Sequence, residues 1–236
     1  MNYVCVSGGA DSTALVLLMW ERGEDFEMCF SDTGAELPEV YWLLPRLSKL
    51  VGKPLHVVSG GSFFQHLVSY GYMIPSARIR WCTGVLKRAP QDAFFKRENA
   101  ERVAIGIRAD EPRRLNKPPR GGIQFYYPLA EAGMSKKDVF AMCKKYDMLN
   151  PVYEWRSRLS CFCCFFQRKS DWLGLLKHHP TLYAVAEEWE KQAFATGKQA
   201  WGWNQGYTLE QLRKADQRQL KLLPEPEGEP CLICSI

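Results

Sequence analysis

The stretch YVCVSGGADSTALVLLMW, Tyr3 to Trp20, narrows what this chain can fold into more than any other. Tyr3 to Val6 alternates and branches like a strand, and Ser12 to Trp20 is apolar at nearly every position, like a buried helix. Between them lies Ser-Gly-Gly-Ala-Asp-Ser. A glycine-rich turn feeding a helix gathers backbone N–H groups and the positive end of the helix dipole at one place, a geometry that receives an oxyanion. Gly8 and Gly9 allow close backbone approach, and Ser7 and Ser12 offer hydroxyls. Asp11 is the oddity, because a carboxylate repels phosphate unless a metal ion lies between them.

Two familiar phosphate loops are ruled out: no G-x-x-x-x-G-K-[ST] occurs, and no G-x-G-x-x-G follows the strand. Ser7 to Ser12 instead resembles the S-G-G-x-D-S pyrophosphate loop of the N-type ATP pyrophosphatases, which split ATP between its α- and β-phosphates and adenylate a substrate. Ser59-Gly60-Gly61 repeats the first three letters without the Asp-Ser, and reads as an ordinary loop.

Strand and helix patterns then alternate. Phe26–Ser31, Leu55–Val58 and Val103–Ile107 read as strands, and Leu37–Val51 and Leu86–Arg97 as helices. Such alternation predicts an α/β fold, a doubly wound parallel sheet with helices on both faces. Ligands then bind beyond the carboxyl ends of the strands, where Ser7-Gly8-Gly9, Ser31-Asp32-Thr33-Gly34 and Gly106-Ile107-Arg108 would meet. From Ser135 the pattern is helical: Ser135 with Asp138 and Thr208 with Gln211 form capping boxes, and Pro180 opens a further helix bearing Trp189. The expected division is a nucleotide-binding part over 1–133 and a helical, cysteine-rich appendage over 134–236. Trp201, Trp203 and Tyr207 crowd one loop, read first as packing and second as a base-stacking surface.

No apolar run reaches about 18 residues, and the N-terminal strand has neither a basic segment before it nor a small-residue cleavage site after it. The expectation is a cytoplasmic protein without membrane association. In a reducing compartment nine cysteines point to metal or redox chemistry rather than disulfides. Cys5, Cys29 and Cys143 fall singly in apolar patterns and read as small buried hydrophobes. Cys161-Phe-Cys163-Cys164 contains C-x-x-C, Cys82 stands upstream in Arg80-Trp-Cys-Thr83, and Cys231 and Cys234 close the chain after the polar Pro224–Pro230 segment. This pattern alone leaves a metal site, structural zinc included, a redox dithiol and coincidence open. Residues 78–120 hold twelve Lys and Arg against five Asp and Glu, an excess larger than the net charge of +5. That segment is either a solvated face or a seat for an anionic substrate.

Together these motifs resemble the phosphoadenosine phosphosulfate (PAPS) reductase family of the adenine nucleotide α-hydrolase-like superfamily, including variants from phages and DNA phosphorothioation systems. The likeness rests on Ser7–Ser12, Ser31–Glu36, Arg80–Thr83 with Lys87, Gly106–Arg114, Tyr127–Leu129 and Cys161–Phe166. It implies an adenine nucleotide in the strand-end crevice: ATP with Mg2+, or the sulfonucleotides PAPS and adenosine phosphosulfate (APS). Nucleotide contacts would come from Ser7, Gly8, Gly9, Asp11, Ser12, Asp32, Thr33, Lys87 and Gly106, and catalysis from Asp11, Arg108, Arg113, Arg114 and Cys234.

The resemblance further implies a [4Fe–4S] cluster on Cys82, Cys161 and Cys164. The family's upstream Cys pair is Trp81-Cys82 here, so the fourth position falls to Cys231, Cys163, Cys234 or an exogenous ligand. Sulfonucleotide reductases generally carry a degraded pyrophosphate loop, whereas this one is intact. The intact loop favours an enzyme that adenylates an acceptor for sulfur transfer, with a sulfur donor as partner. The alternatives are a PAPS or APS reductase releasing sulfite to a thiol reductant, and a non-catalytic nucleic-acid-binding subunit of a modification complex. A homo-oligomer is compatible with all three.

Overall fold

A computed structural model describes residues 1–115, 122–204 and 206–222. Five parallel strands, β1 (Asn2–Val6), β2 (Glu27–Asp32), β3 (Leu55–Ser59), β4 (Arg102–Ala104) and β5 (Gln124–Tyr126), form one sheet in the order β3-β2-β1-β4-β5. The order reverses at β1, so the crevice beyond β1 and β4 is the expected ligand position of an open parallel sheet. β4 ends at Ala104, three residues before the expected boundary, and Gly106 beyond it lies against the first turn of α1. β5 is only three residues long, too short for a periodicity to show.

Helices α1 (Ala10–Glu21), α2 (Pro38–Val51), α3 (Phe63–Ser69), α4 (Trp81–Thr83) and α5 (Ala89–Arg97) lie between the strands. α1 is buried from Ser12 to Met19, which explains its uniformly apolar sequence. A π-helical turn, Gly84–Arg88, joins α4 to α5 where a single helix from Leu86 was expected. Here Gly60 is pinned under the turn, where a Cβ would collide with the Val85 carbonyl oxygen. After β5 follow α6 (Pro128–Glu131), α7 (Lys136–Lys145), α8 (Lys169–His178), α9 (Pro180–Ala195) and α10 (Leu209–Leu222). Both expected capping boxes form: Ser135 N–H donates to Asp138 at 2.9 Å, and Thr208 N–H to Gln211 at 2.9 Å.

Two large cores divide the molecule. One packs α1, α2 and α7 around the sheet, with Leu15, Met28, Leu43 and Val139 fully buried. The other gathers Phe63, Leu86, Phe162, Trp172, Tyr183 and Trp203 between α3, α8, α9 and α10. Leu159 packs against both. The aromatic loop after α9 belongs to this second core: Trp203 is 2% exposed and donates to the Ala186 carbonyl, and Trp201 donates to that of Ile74. Its indoles serve packing. No helix among the described residues is long and apolar enough to cross a membrane.

Candidate active site

The ends of β1, β2 and β4 open onto a crevice of about 970 Å³. Cys5, Val6, Phe30 and Ile105 give it apolar lining, while Lys87, Arg108, Arg114, Lys136, Arg158 and Arg168 contribute positive charge against Asp11 and Glu111. An apolar wall with a surplus of cations matches a planar base joined to phosphates. Cys5, read as a core hydrophobe, is half-buried and lines this crevice; Cys29 and Cys143 are buried as expected.

The Ser7–Ser12 loop is cross-tied at its mouth. Ser7 N–H donates to Ser12 Oγ at 3.1 Å, the two hydroxyls lie 3.2 Å apart, and Ser12 Oγ donates to the Gly9 carbonyl at 3.0 Å. Gly8 adopts φ +72° with Val40 and Leu159 beside it, so an L side chain there would be strained and crowded. A Cβ on Gly106 would sit 3.0 Å from the Asp11 backbone, so glycine lets the end of β4 lie against the first turn of α1.

Asp11 does not present an open carboxylate. Arg108 Nη1 donates to both of its oxygens, at 2.8 and 2.9 Å, while Arg108 Nε donates to Asp110 at 2.8 Å. Asp11 thereby orients Arg108 at the crevice wall, its own side chain 31% exposed. Arg114 lines the crevice and pairs with Glu111 at 2.8 Å, whereas Arg113 is exposed and outside the lining.

Asp32 and Thr33 are not in the lining either. Asp32 accepts from Gly34 N–H and the Tyr41 hydroxyl at 2.8 and 2.7 Å. Buried Thr33 donates to Glu36 at 2.9 Å. This loop anchors the cysteine segment, for Phe162 N–H donates to the Ala35 carbonyl at 2.9 Å and Cys161 Sγ lies 3.5 Å from both Thr33 Oγ1 and Glu36 Oε1. Lys87 lines the crevice and reaches Glu36 at 3.6 Å, joining the two places.

Burial, then Glu36, pushes the Cys161 thiol up to about 12, against a smaller opposite pull from Lys87. Burial also raises Cys82, with Cys164 adding to it, and holds Cys163 well above the ordinary thiol range. Lys87 is held above its ordinary value by Cys161 and Glu36; with the thiols neutral at physiological pH, the carboxylate is the contribution that persists. Among the described residues no group of three or more His, Cys, Asp or Glu side chains is arranged to hold a metal ion. Cys82, Cys161 and Cys164 thus share a neighbourhood without forming a ligand set, and Cys231 and Cys234 lie outside the described residues. Sequence reasoning also passed over Tyr153 and Asn150, whose contacts with the loop span more than 140 positions and leave no local pattern.

The phosphoadenosine phosphosulfate reductase domain model matches residues 2–157, about two thirds of the chain. The chain belongs to this family. Its fold is that of the family's solved members: PAPS reductase from Candida auris, in a phosphate complex, superposes with a TM-score of 0.55 at 15% identity, covering 68% of this chain and 80% of that one. An uncharacterized nin region protein of Escherichia phage lambda is 30% identical over 179 residues, 61% of this chain and 59% of its own length. An uncharacterized protein of Methanocaldococcus jannaschii is 26% identical over 187 residues, 75% of this chain and 44% of its own length. The chain spans only about half the length of such relatives.

Proposed function

We propose that this PAPS reductase-family protein binds ATP in the strand-end crevice and adenylates an acceptor, releasing pyrophosphate, as the first step of a sulfur transfer. The observation that carries the reading is the intact Ser7–Ser12 loop at the N-terminus of α1, facing a surplus of cations. An acceptor nucleophile attacks the α-phosphorus, the bond to the bridging oxygen of the β-phosphate breaks, and pyrophosphate leaves with the electron pair. Ser7, Ser12 and the start of α1 would hold the leaving group. Arg108, aimed by Asp11, would neutralise charge growing on the phosphates, with Lys87 and Arg114 beside it. A sulfur nucleophile from the donor then displaces AMP from the acceptor. Magnesium would enter as the counter-ion of ATP.

No step of this reading passes through an iron–sulfur cluster. A [4Fe–4S] centre would require Cys82, Cys161 and Cys164 to converge with a fourth donor, such as Cys231. Iron and acid-labile sulfide analysis of anaerobically purified protein tests it, with zinc as the competing result.

The second reading, a PAPS or APS reductase, is favoured by the family itself and by the thiols beside Glu36 and Lys87. One anaerobic screen separates the two. Protein is offered ATP, APS and PAPS with a thiol reductant, and pyrophosphate, AMP and sulfite are measured together. Pyrophosphate with AMP from ATP supports adenylation; sulfite from a sulfonucleotide with no turnover of ATP overturns it.

A further inference from the structure

We infer that Tyr153 is a pyrophosphate-contacting residue, its hydroxyl carrying the hydrogen-bonding power of the first α1 amide outward into the crevice. The inference rests on the anion-loop reading above. Tyr153 stands in a 3₁₀ turn, Pro151–Glu154, of the segment that follows α7, far from the loop in sequence. Its ring packs edge-on against Phe140, and its side chain lines the crevice.

The geometry sets the direction of its proton. Ala10 N–H donates to the phenolic oxygen at 2.9 Å. A phenol has one proton and two acceptor positions. With the Ala10 amide on the acceptor side, the hydroxyl proton is directed away from that amide and remains to be donated. Burial keeps the phenol protonated by raising it from its ordinary value. A donor polarised by the first amide of a helix and facing a cation-lined crevice is suited to an oxyanion, because hydrogen bonds in chains polarise one another. Asn150, three residues before Tyr153, holds the same loop: its Nδ2 donates to the Gly8 carbonyl at 3.3 Å, and its Oδ1 accepts from Val152 N–H at 3.1 Å. Asn150 is a positioning residue, fixing the turn that presents Tyr153.

The test uses Tyr153→Phe, which keeps the ring and removes only the hydroxyl, with inorganic pyrophosphate and adenosine as probes in calorimetric titrations of the full chain. The expected result is about ten- to a hundred-fold weaker pyrophosphate binding, the range for a hydrogen bond to a charged group. Adenosine binding should be unchanged. Equal or tighter pyrophosphate binding by the variant overturns the inference, the tighter case meaning that the hydroxyl blocks the Ala10 amide. Equal losses for both probes also overturn it, since they mean a loosened crevice. Wild-type protein that binds neither pyrophosphate nor ATP overturns the anion-loop reading itself, and is distinguishable because no variant is needed to see it.

Discussion

The crevice and the cysteine pocket share Lys87, yet they treat charge in opposite ways. At the crevice Arg108 is held ionised between Asp11, Asp110 and Glu111, and hydroxyls and amides surround it. In the pocket Cys161 and Cys163 are pushed toward the neutral thiol by burial, with Phe162 and Trp172 in the same core. One place is built to meet an anion; the other keeps its sulfur uncharged until something changes around it. Under the proposed function, this difference would keep phosphate chemistry and sulfur chemistry apart along the path Lys87–Glu36–Cys161.

The largest expected effect strikes the charged side. Asp11→Ala should lower turnover by about 100-fold or more, the size seen when a preorganised charge partner in an active site is lost. The melting temperature should stay near wild type, because no core volume is removed. Arg108→Gln should do the same, and the double variant should be no worse than either alone if the pair acts as a unit. Additive losses in steady-state kinetics would show that Asp11 has a role apart from Arg108.

The next effect strikes the residue the two places share. Lys87→Met leaves Glu36, whose side chain is 5% exposed, with Thr33 and Cys161 as its neighbours and no cation at 3.6 Å. A stability loss of about 2 kcal/mol is expected for a buried carboxylate deprived of its cation, read by urea unfolding, together with weaker nucleotide binding. Lost binding with no lost stability would assign Lys87 to the crevice alone.

The smallest effect belongs to the thiols. The folded value of Cys161, about 12, lies above its ordinary 9.0, so the folded state holds the proton longer than the unfolded one. The stabilisation this brings is complete below pH 9 and is lost as pH rises toward 12. Wild type should therefore lose melting temperature across that range more steeply than Cys161→Ala. Parallel curves for the two proteins would show the pocket to be wetter than its burial implies.

The first strand, the glycine loop and the buried helix α1 were legible because their signals are contiguous and their periods distinct. The meeting of strand ends and both capping boxes followed from the same local rules, whereas the strand order, with its reversal at β1, is a matter of tertiary pairing. Three things were not legible. β5 and α3 are too short to show a period. Gly60 and the π turn meet through a backbone contact that composition does not record. Asp11 and Arg108 are 97 positions apart, so their pairing follows from tertiary packing. Asp32 and Thr33 show the converse: polar residues at a strand end read as ligand contacts, yet here Asp32 is bonded to Gly34 and Tyr41, and Thr33 to Glu36 beside Cys161.

Leu159 packs on both hydrophobic cores, and its side chain also lies within 4 Å of where Cβ atoms on Gly8 and Gly9 would be. A single aliphatic side chain thus ties the opening rate of the anion loop to the integrity of two otherwise separate packing units. Amide exchange at Gly8 and Gly9 is then expected to follow the slow exchange of the helical region as closely as that of the sheet, and shortening residue 159 would release the loop before either core melts.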